Sequence, residues 1–431
     1  MADAALNMSD PRSALWSDTA IAPPETPPLT SDRKTSVAVI GAGFTGLSSA
    51  LHLAEAGVDT VVVEAEAPGF GASGRNNGQV VPAYSRHNPD DVVARFGKER
   101  GEAMNAWVQG AGRLVFDLIE KHGIDCDAAH NGWLMPAHNE KRLAVIRTKH
   151  DQWAARDADV AFLDRDQTVE MTGSEHYIGA FMHRRGGNIQ PLSYTRGLAH
   201  AALKAGAAIH ASTPVTAIER EAGKWRVRTP KGTVTADKVI LATNAYVGSL
   251  WPGLGRSVVQ MRLLQAATAP LSDNVAKTIL PGRQGISDSR RTLWAFRKDG
   301  AGRIITGAAP LVPGMPGTLR DMCIKQLAVV YPQADEVEFT HLWDGMIAVT
   351  LDRLPRFHEV AEGVYAGLGY TGRGIAMATA MGKLLAARAQ GAPAEDLPLP
   401  LSPMRPLPFQ QLMIPLARLR MTWWRLLDRM E

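Results

Sequence analysis

The sequence predicts an α/β protein, α+β overall: a parallel sheet flanked by helices, interleaved with a second domain built on an antiparallel sheet. Three observations predict it. An apolar run at Val37–Ile40 leads directly into a glycine-rich turn and a helix-periodic segment. A second apolar strand, glycine turn and helix recur between Val364 and Ala389. From Gln260 to about Thr350, apolar and polar residues alternate in several runs, as half-buried antiparallel strands require.

Val37-Ala38-Val39-Ile40 is apolar throughout, which suits a parallel strand covered on both faces. Gly41-Ala42-Gly43-Phe44-Thr45-Gly46 follows at once. Leu47, Ala50, Leu51 and Ala54 then repeat with helical spacing until Gly57 stops the helix. Thr60–Val63 is a second apolar strand, ending on Glu64 and Ala65. Gly41 permits the tight turn, Gly43 lets the backbone approach a pyrophosphate, and Gly46 lets the helix pack closely on the strand. The helix N-terminus, with Phe44 and Thr45 in its first turn, offers free N–H groups and a positive dipole end to phosphates. Glu64, 23 residues after Gly41, is placed to accept from ribose hydroxyls. An acid there argues against a 2′-phosphate, and so against NADP. Alone, this unit says only dinucleotide.

The following loop turns the dinucleotide into FAD. Pro68 to Gln79 contains Gly71, Ala72, Ser73, Gly74, Arg75, Asn76, Asn77 and Gly78. Such a density of small residues suits backbone lying along a long, extended ligand. Thr233 to Asn244 reads as a buried strand ending in Thr243 and Asn244; these two and Val215, which precedes the strand, are expected to contact the cofactor. Val364–Leu368 is a further strand, leading through Gly369-Tyr370-Thr371-Gly372-Arg373-Gly374 into a helix at Ile375–Ala389. That turn can aim a helix N-terminus and Arg373 at the flavin pyrimidine ring, where the reduced ring carries negative charge. Three regions far apart in sequence thus converge on one cofactor.

These residues resemble the D-amino-acid-oxidase-like flavoproteins, with their glutathione-reductase-type Rossmann FAD domain. Within that family, the pattern is most similar to bacterial gamma-glutamylputrescine oxidases and L-pipecolate oxidases. The carriers are Ile40 to Gly57, Gly69 to Asn76, Gly123 to Cys126, Trp343 to Pro355 and Gly369 to Gly374. The resemblance covers roughly residues 36 to 430. It implies oxidation of a small amine or imino acid: hydride passes from the carbon bearing a neutral nitrogen to flavin N5, the imine hydrolyses, and O2 or another acceptor reoxidises the flavin. Reoxidation by O2 yields H2O2. Sarcosine-oxidase-type relatives attach FAD to a late cysteine. Here the Trp343–Met346 region has no cysteine, and Cys323 lies some twenty residues too early, so FAD is expected to bind non-covalently. Their carboxylate-binding lysine is replaced by Ala376.

Arg297 is then the expected carboxylate partner of the substrate. It ends the strand-like run 292–297, before the turn 298–302 and a second strand at Arg303–Gly307. Its alternative is a solvent-facing hairpin arginine. Arg75 and Asn76 are expected beside the flavin, or as supports of their loop. Tyr84, Trp294 and Trp343 are candidate walls of the substrate pocket, or ordinary core aromatics.

The domains follow from these assignments. Residues 1–35 read as a flexible or surface-draped, proline-containing arm; 36–85, 186–255 and 351–395 as the FAD domain; 86–185 and 256–350 as the substrate domain. Within the latter, Asp90–Gly123 and Lys141–Ala155 carry helical periodicity. Residues 396–431 form a proline-rich segment and a basic amphipathic helix. On that helix Leu416, Leu419, Trp423, Leu426, Leu427 and Met430 share one face, and Arg418, Arg425 and Arg429 the other. Docking on its own protein or a second subunit, and peripheral contact with anionic membrane, both remain open.

The 431 residues carry 47 Lys and Arg against 43 Asp and Glu, a surplus too small and too scattered to call for nucleic acid. Two cysteines exclude a disulfide framework and fit a reducing, cytoplasmic compartment. No metal site is expected. No apolar run reaches the roughly 18 residues of a membrane span. Two other functions stay open: a dehydrogenase passing electrons to a quinone or carrier protein, and an FAD-binding subunit without turnover.

Overall fold

The computed structural model describes residues 10–292, 294–308, 316–334 and 337–430. Strands Arg33–Ile40 and Thr60–Val63 are parallel neighbours, with Val37 opposite Thr60 and Ile40 opposite Val63. Gly232–Leu241 lies parallel on the other side of the first strand, Ile40 facing Leu241. Ala208–His210 and Val364–Leu368 extend the parallel sheet at its two sides. All four residues of Val37–Ile40 are buried, as the continuous apolar run demands. Because neighbouring strands end in register, Gly41, Glu64 and Ala242 leave the sheet at one carboxyl edge. Ligands of such sheets bind at that edge.

Two helices cover one face, Phe44–Glu55 and Gly374–Ala389. They approach closely because small residues meet where they cross. Ser48 Oγ donates to the Thr379 carbonyl at 2.7 Å and Ser49 Oγ to the Gly382 carbonyl at 3.1 Å. A Cβ on Gly382 would stand 2.5 Å from the Thr45 carbonyl oxygen.

The second sheet has eight strands in the order Phe339–Val349, Val259–Thr268, Ile304–Ala308, Ala295–Lys298, Gly285–Ser287, Trp133–Ala137, Gly179–His183 and Val160–Leu163. Its pairings are antiparallel except that between Gly285–Ser287 and Trp133–Ala137. The last three strands come from a stretch whose sequence shows only helices. They are four or five residues long and lack alternation, so their pairing depends on the partner strands. The long helical pattern from Asp90 is broken by Gly97, at φ 80°, into helices Pro89–Phe96 and Lys98–His122.

The described part of the N-terminal arm is packed on the protein rather than flexible, and its Trp16 goes deeper than a surface-draped segment would. Leu15–Thr19 is helical, and Trp16 is 1% exposed. The Trp16 indole donates to the Asn76 carbonyl at 2.8 Å and meets the Trp343 ring edge-on at 5.8 Å. Leu29 N donates to Thr213 Oγ1 at 3.0 Å. One buried tryptophan outweighs the disorder-prone composition around it.

Helix Gln410–Met430 lies on the molecule, but not through the face its sequence singles out. Met413, Ala417, Arg420, Met421 and Trp424 face inward. Asp428 fastens the end, accepting from Thr292 N at 2.9 Å, Thr292 Oγ1 at 2.6 Å and Arg291 N at 3.1 Å. Leu419, Trp423 and Leu426 are left outward. Among the described residues no helix is long and apolar enough to cross a membrane.

Candidate active site

A cavity of about 1020 Å³ opens between the carboxyl edge of the parallel sheet and the second sheet. Its first end is built from the Gly41–Gly46 turn. Gly41 has φ 104°, a conformation reserved for glycine. Gly41, Gly43, Phe44 and Thr45 line the cavity, and Gly43, at the helix N-cap, makes no side-chain cap of its own. Gly46 does not face the cavity: a Cβ there would run into the Gly41 carbonyl, so its smallness serves helix–strand contact. Glu64 Oε2 accepts from Ala42 N at 2.7 Å and Oε1 from Glu66 N at 3.1 Å. Burial pushes this carboxyl up, while those amides hold it down. Ala65, Val215 and Thr243 complete this end.

The loop after the first unit forms the floor. Gly71, Ala72, Ser73, Arg75, Asn76, Asn77 and Gly78 reach the cavity; Gly74 packs against the Gly69 carbonyl behind it. Asn76 knits the loop, donating to the Ala72 and Ser73 carbonyls at 3.0 and 2.8 Å and accepting from Gly78 N at 2.8 Å. Ser73 Oγ accepts from Phe44 N at 3.0 Å, tying loop to helix. Arg75 donates to the Phe70 carbonyl at 2.8 Å and stands 3.9 Å from Asp344.

The C-terminal glycine turn forms a further wall, joined to the first end. Asn244 Oδ1 accepts from Gly369 N at 3.0 Å, joining two adjacent strand ends; Asn244 lines the cavity and Gly369 does not. Tyr370 is bonded to Thr45 Oγ1 at 2.7 Å. Thr371 and Gly372 have φ of 49° and 79°, and Gly374 begins the helix whose first turn faces the cavity. Cβ atoms on Gly372 or Gly374 would project into open space. Three uncapped or glycine-lined backbone stretches around one elongated cavity are what a dinucleotide with a long second half requires, and FAD fits them.

Four expected substrate residues lie elsewhere. Arg297 is 0% exposed and does not line the cavity. It donates to the Ile189 carbonyl, stands 3.8 Å from Asp127 and lies over the Trp16 ring at 5.2 Å. Its strand register turns it behind the Gly78 turn, away from the cavity; hairpin periodicity alone does not specify that face. Tyr84 is a core residue, bonded to Asn105 Oδ1 at 3.1 Å and stacked on Trp153. Trp343 is buried and supports the floor from behind, donating to the Arg75 carbonyl at 2.9 Å. Trp294, also outside the lining, lies under the Arg290 guanidinium at 4.0 Å.

Other arginines line the cavity that Arg297 does not reach. Arg86, Arg290, Arg291, Arg353, Arg373 and Arg420 all line the cavity. Arg290 is paired with Asp288 and also donates to His176 Nε2 at 2.7 Å, and Arg291 lies 3.4 Å from Asp428. Arg86, Arg353 and Arg420 surround the Trp424 ring at 4.9, 5.6 and 4.8 Å. Arg373 lies over Trp133 at 5.2 Å, and its Nε has no hydrogen-bond partner. Among the described residues, none of these last four has a carboxylate within ion-pair distance. Burial, and then mutual repulsion, pushes Arg86 and Arg373 down to about 10. Arg373 lies in the C-terminal glycine turn and Arg353 in the Trp343–Pro355 segment; Arg86, the adjacent pair Arg290–Arg291 and Arg420 come from two further loops and the C-terminal helix, so only folding assembles them. No cluster of metal-ligating side chains occurs among the described residues.

The family model described as FAD dependent oxidoreductase matches residues 36–388. A probable oxidoreductase OrdL of Rhizobium meliloti is 33% identical over 375 residues, covering 86% of this chain and 87% of that protein. The gamma-glutamylputrescine oxidoreductase of Escherichia coli is 33% identical over 358 residues, covering 82% and 83% respectively. Among solved structures, glycine oxidase from Geobacillus kaustophilus superposes with a TM-score of 0.70 at 20% identity, over 83% of this chain and 95% of that one.

Proposed function

Because this chain belongs to the FAD dependent oxidoreductase family, we propose that it oxidises a small amine or imino acid that carries a carboxylate, of the gamma-glutamylputrescine or L-pipecolate kind, with O2 as final acceptor. The observation that carries this reading is the group of cavity arginines without carboxylate partners. When bound, FAD supplies a two-electron acceptor for the carbon–hydrogen bond beside the substrate nitrogen. The chain must bind, orient and keep dry.

A guanidinium matches a carboxylate with two parallel hydrogen bonds, and Arg373 has an unsatisfied Nε to offer. The same positive potential disfavours a protonated amine nearby, so the substrate nitrogen loses its proton more readily. That supplies the neutral nitrogen the reaction needs without a dedicated base. Trp424 and Met421, from the C-terminal helix, close over the arginine end and restrict water. Both cysteines are buried outside the cavity lining, which supports non-covalent FAD. Denaturing electrophoresis then leaves no flavin fluorescence on the polypeptide.

The test is anaerobic mixing of the yellow protein with carboxylated amines and their decarboxylated counterparts. Bleaching of the flavin band by the former alone, with rapid recovery in air, is the expected result. Bleaching by neither favours a binding subunit. Bleaching with slow recovery in air favours a dehydrogenase, a second reading supported by the apolar outer face of the helix beside the cavity mouth.

A further inference from the structure

The C-terminal helix carries two chemically different faces. Its inner face is spent on the protein: Met413, Arg420, Trp424 and Asp428 all have contacts there. Its outer face carries Leu412, Leu416, Leu419, Trp423, Leu426 and Met430, at alternating intervals of four and three. That spacing holds one stripe along the whole helix. The stripe is open to solvent, with Leu419 68%, Trp423 57% and Met430 74% exposed. Phe409, just before the helix, and Leu351, on the cavity rim, are exposed as well. Exposed apolar surface on this scale marks an interaction site.

We propose that this stripe docks the enzyme on the surface of an anionic lipid bilayer, with the cavity mouth beside the lipid. Charge selects that partner over a second copy of the chain. Residues 410–430 contain Arg418, Arg420, Arg425 and Arg429 against the single acid Asp428, which is already engaged by Thr292 and Arg291. Paired helices place the rows flanking their seam against each other and set opposite charges there. Here the flanking rows, 413, 420, 427 and 415, 422, 429, contain no acid; of their two arginines, Arg420 also reaches inward to Trp424. Two copies would add like charges, whereas anionic headgroups complement them. Trp423, midway along the stripe, is a residue suited to the boundary between headgroups and acyl chains. Leu416 belongs to both the stripe and the cavity lining, so the docked face and the mouth are continuous.

Flotation of the full-length, FAD-loaded protein tests this. Vesicles of phosphatidylcholine alone are compared with vesicles also containing phosphatidylglycerol. The expected result is co-flotation only with the anionic vesicles. It should fall roughly tenfold or more in the double variant Leu419→Glu, Trp423→Glu, with flavin content and turnover in solution retained, since neither residue lines the cavity. The milder pair Leu419→Ser, Trp423→Ser covers any disturbance of helix docking by the new charges. Flotation with neither vesicle, equal flotation with both, or flotation unchanged in both pairs overturns the proposal. So does a dimer, seen by sedimentation equilibrium, that the same substitutions dissociate.

Discussion

The Arg297 guanidinium donates to the Ile189 carbonyl in a fully buried position, directly behind the Gly78 turn that forms part of the cavity floor. This contact makes Arg297 a support of the floor. Arg297→Ala would leave a buried carbonyl without its donor and remove a cation beside Asp127. It should lower stability by about 2–3 kcal/mol, read by denaturant unfolding, while KM for a carboxylated amine in the folded, FAD-loaded fraction changes less than about threefold. A KM rise of a hundredfold with stability unchanged would return Arg297 to the substrate.

Arg373 should show the opposite pattern. Losing one charge-assisted pair to a carboxylate costs about 1.5–3 kcal/mol, so Arg373→Ala should lower kcat/KM for a carboxylated amine roughly ten- to hundredfold. A decarboxylated analogue should be affected far less. Arg373→Lys should recover only part of the loss, because an ammonium lacks the two-pronged geometry. Equal losses for both substrates would assign Arg373 to the flavin alone.

Gly43→Val tests the phosphate end. A Cβ at Gly43 would stand 2.8 Å from Ser73 Oγ, within the turn that faces the cavity. The variant should fold, as circular dichroism would report, but carry less than about a tenth of the wild-type flavin absorbance per chain. Normal flavin loading would move the pyrophosphate away from this turn.

His183 predicts a pH dependence of stability. It is buried between Trp153 and Phe181, with no hydrogen-bond partner at either ring nitrogen. Burial, and secondarily Arg185, depresses it to about 4. The unfolded chain therefore takes up this proton near pH 6.5, before the folded one does. The neutral ring's contribution is complete above about pH 6.5 and is lost as pH falls towards 4, amounting to about 3 kcal/mol. His183→Phe should flatten the acid limb of a Tm-against-pH curve in that window. An unchanged limb would mean that the ring titrates normally.

Residues whose role is set by backbone needs were legible before folding. Gly41, Gly43, Glu64 and the 371–374 turn declare themselves because a tight turn, a close backbone approach or a strand-end acid demands a residue type at a fixed spacing. The strand at Val37–Ile40 is equally plain, since burial on both faces forces a continuous apolar run. The alternating runs that build much of the second sheet belong to the same class.

Side-chain direction and long-range assembly were settled by tertiary structure. Arg297 and Trp343 point to the back of the site because strand register, not composition, decides which face of a sheet a residue meets. Trp16 converts a disorder-like arm into a packed one by finding Trp343, over 300 residues away. Arg373 is announced by its glycine turn, but Arg86, Arg290, Arg291 and Arg420 reach the cavity from segments whose local spacing announces nothing. The C-terminal helix docks through Trp424 and Asp428 rather than through its apolar stripe, because partners for a ring and a carboxylate wait on the body of the protein. Local patterns follow from the bonds of one segment; these placements follow from surfaces that exist only once distant segments have met.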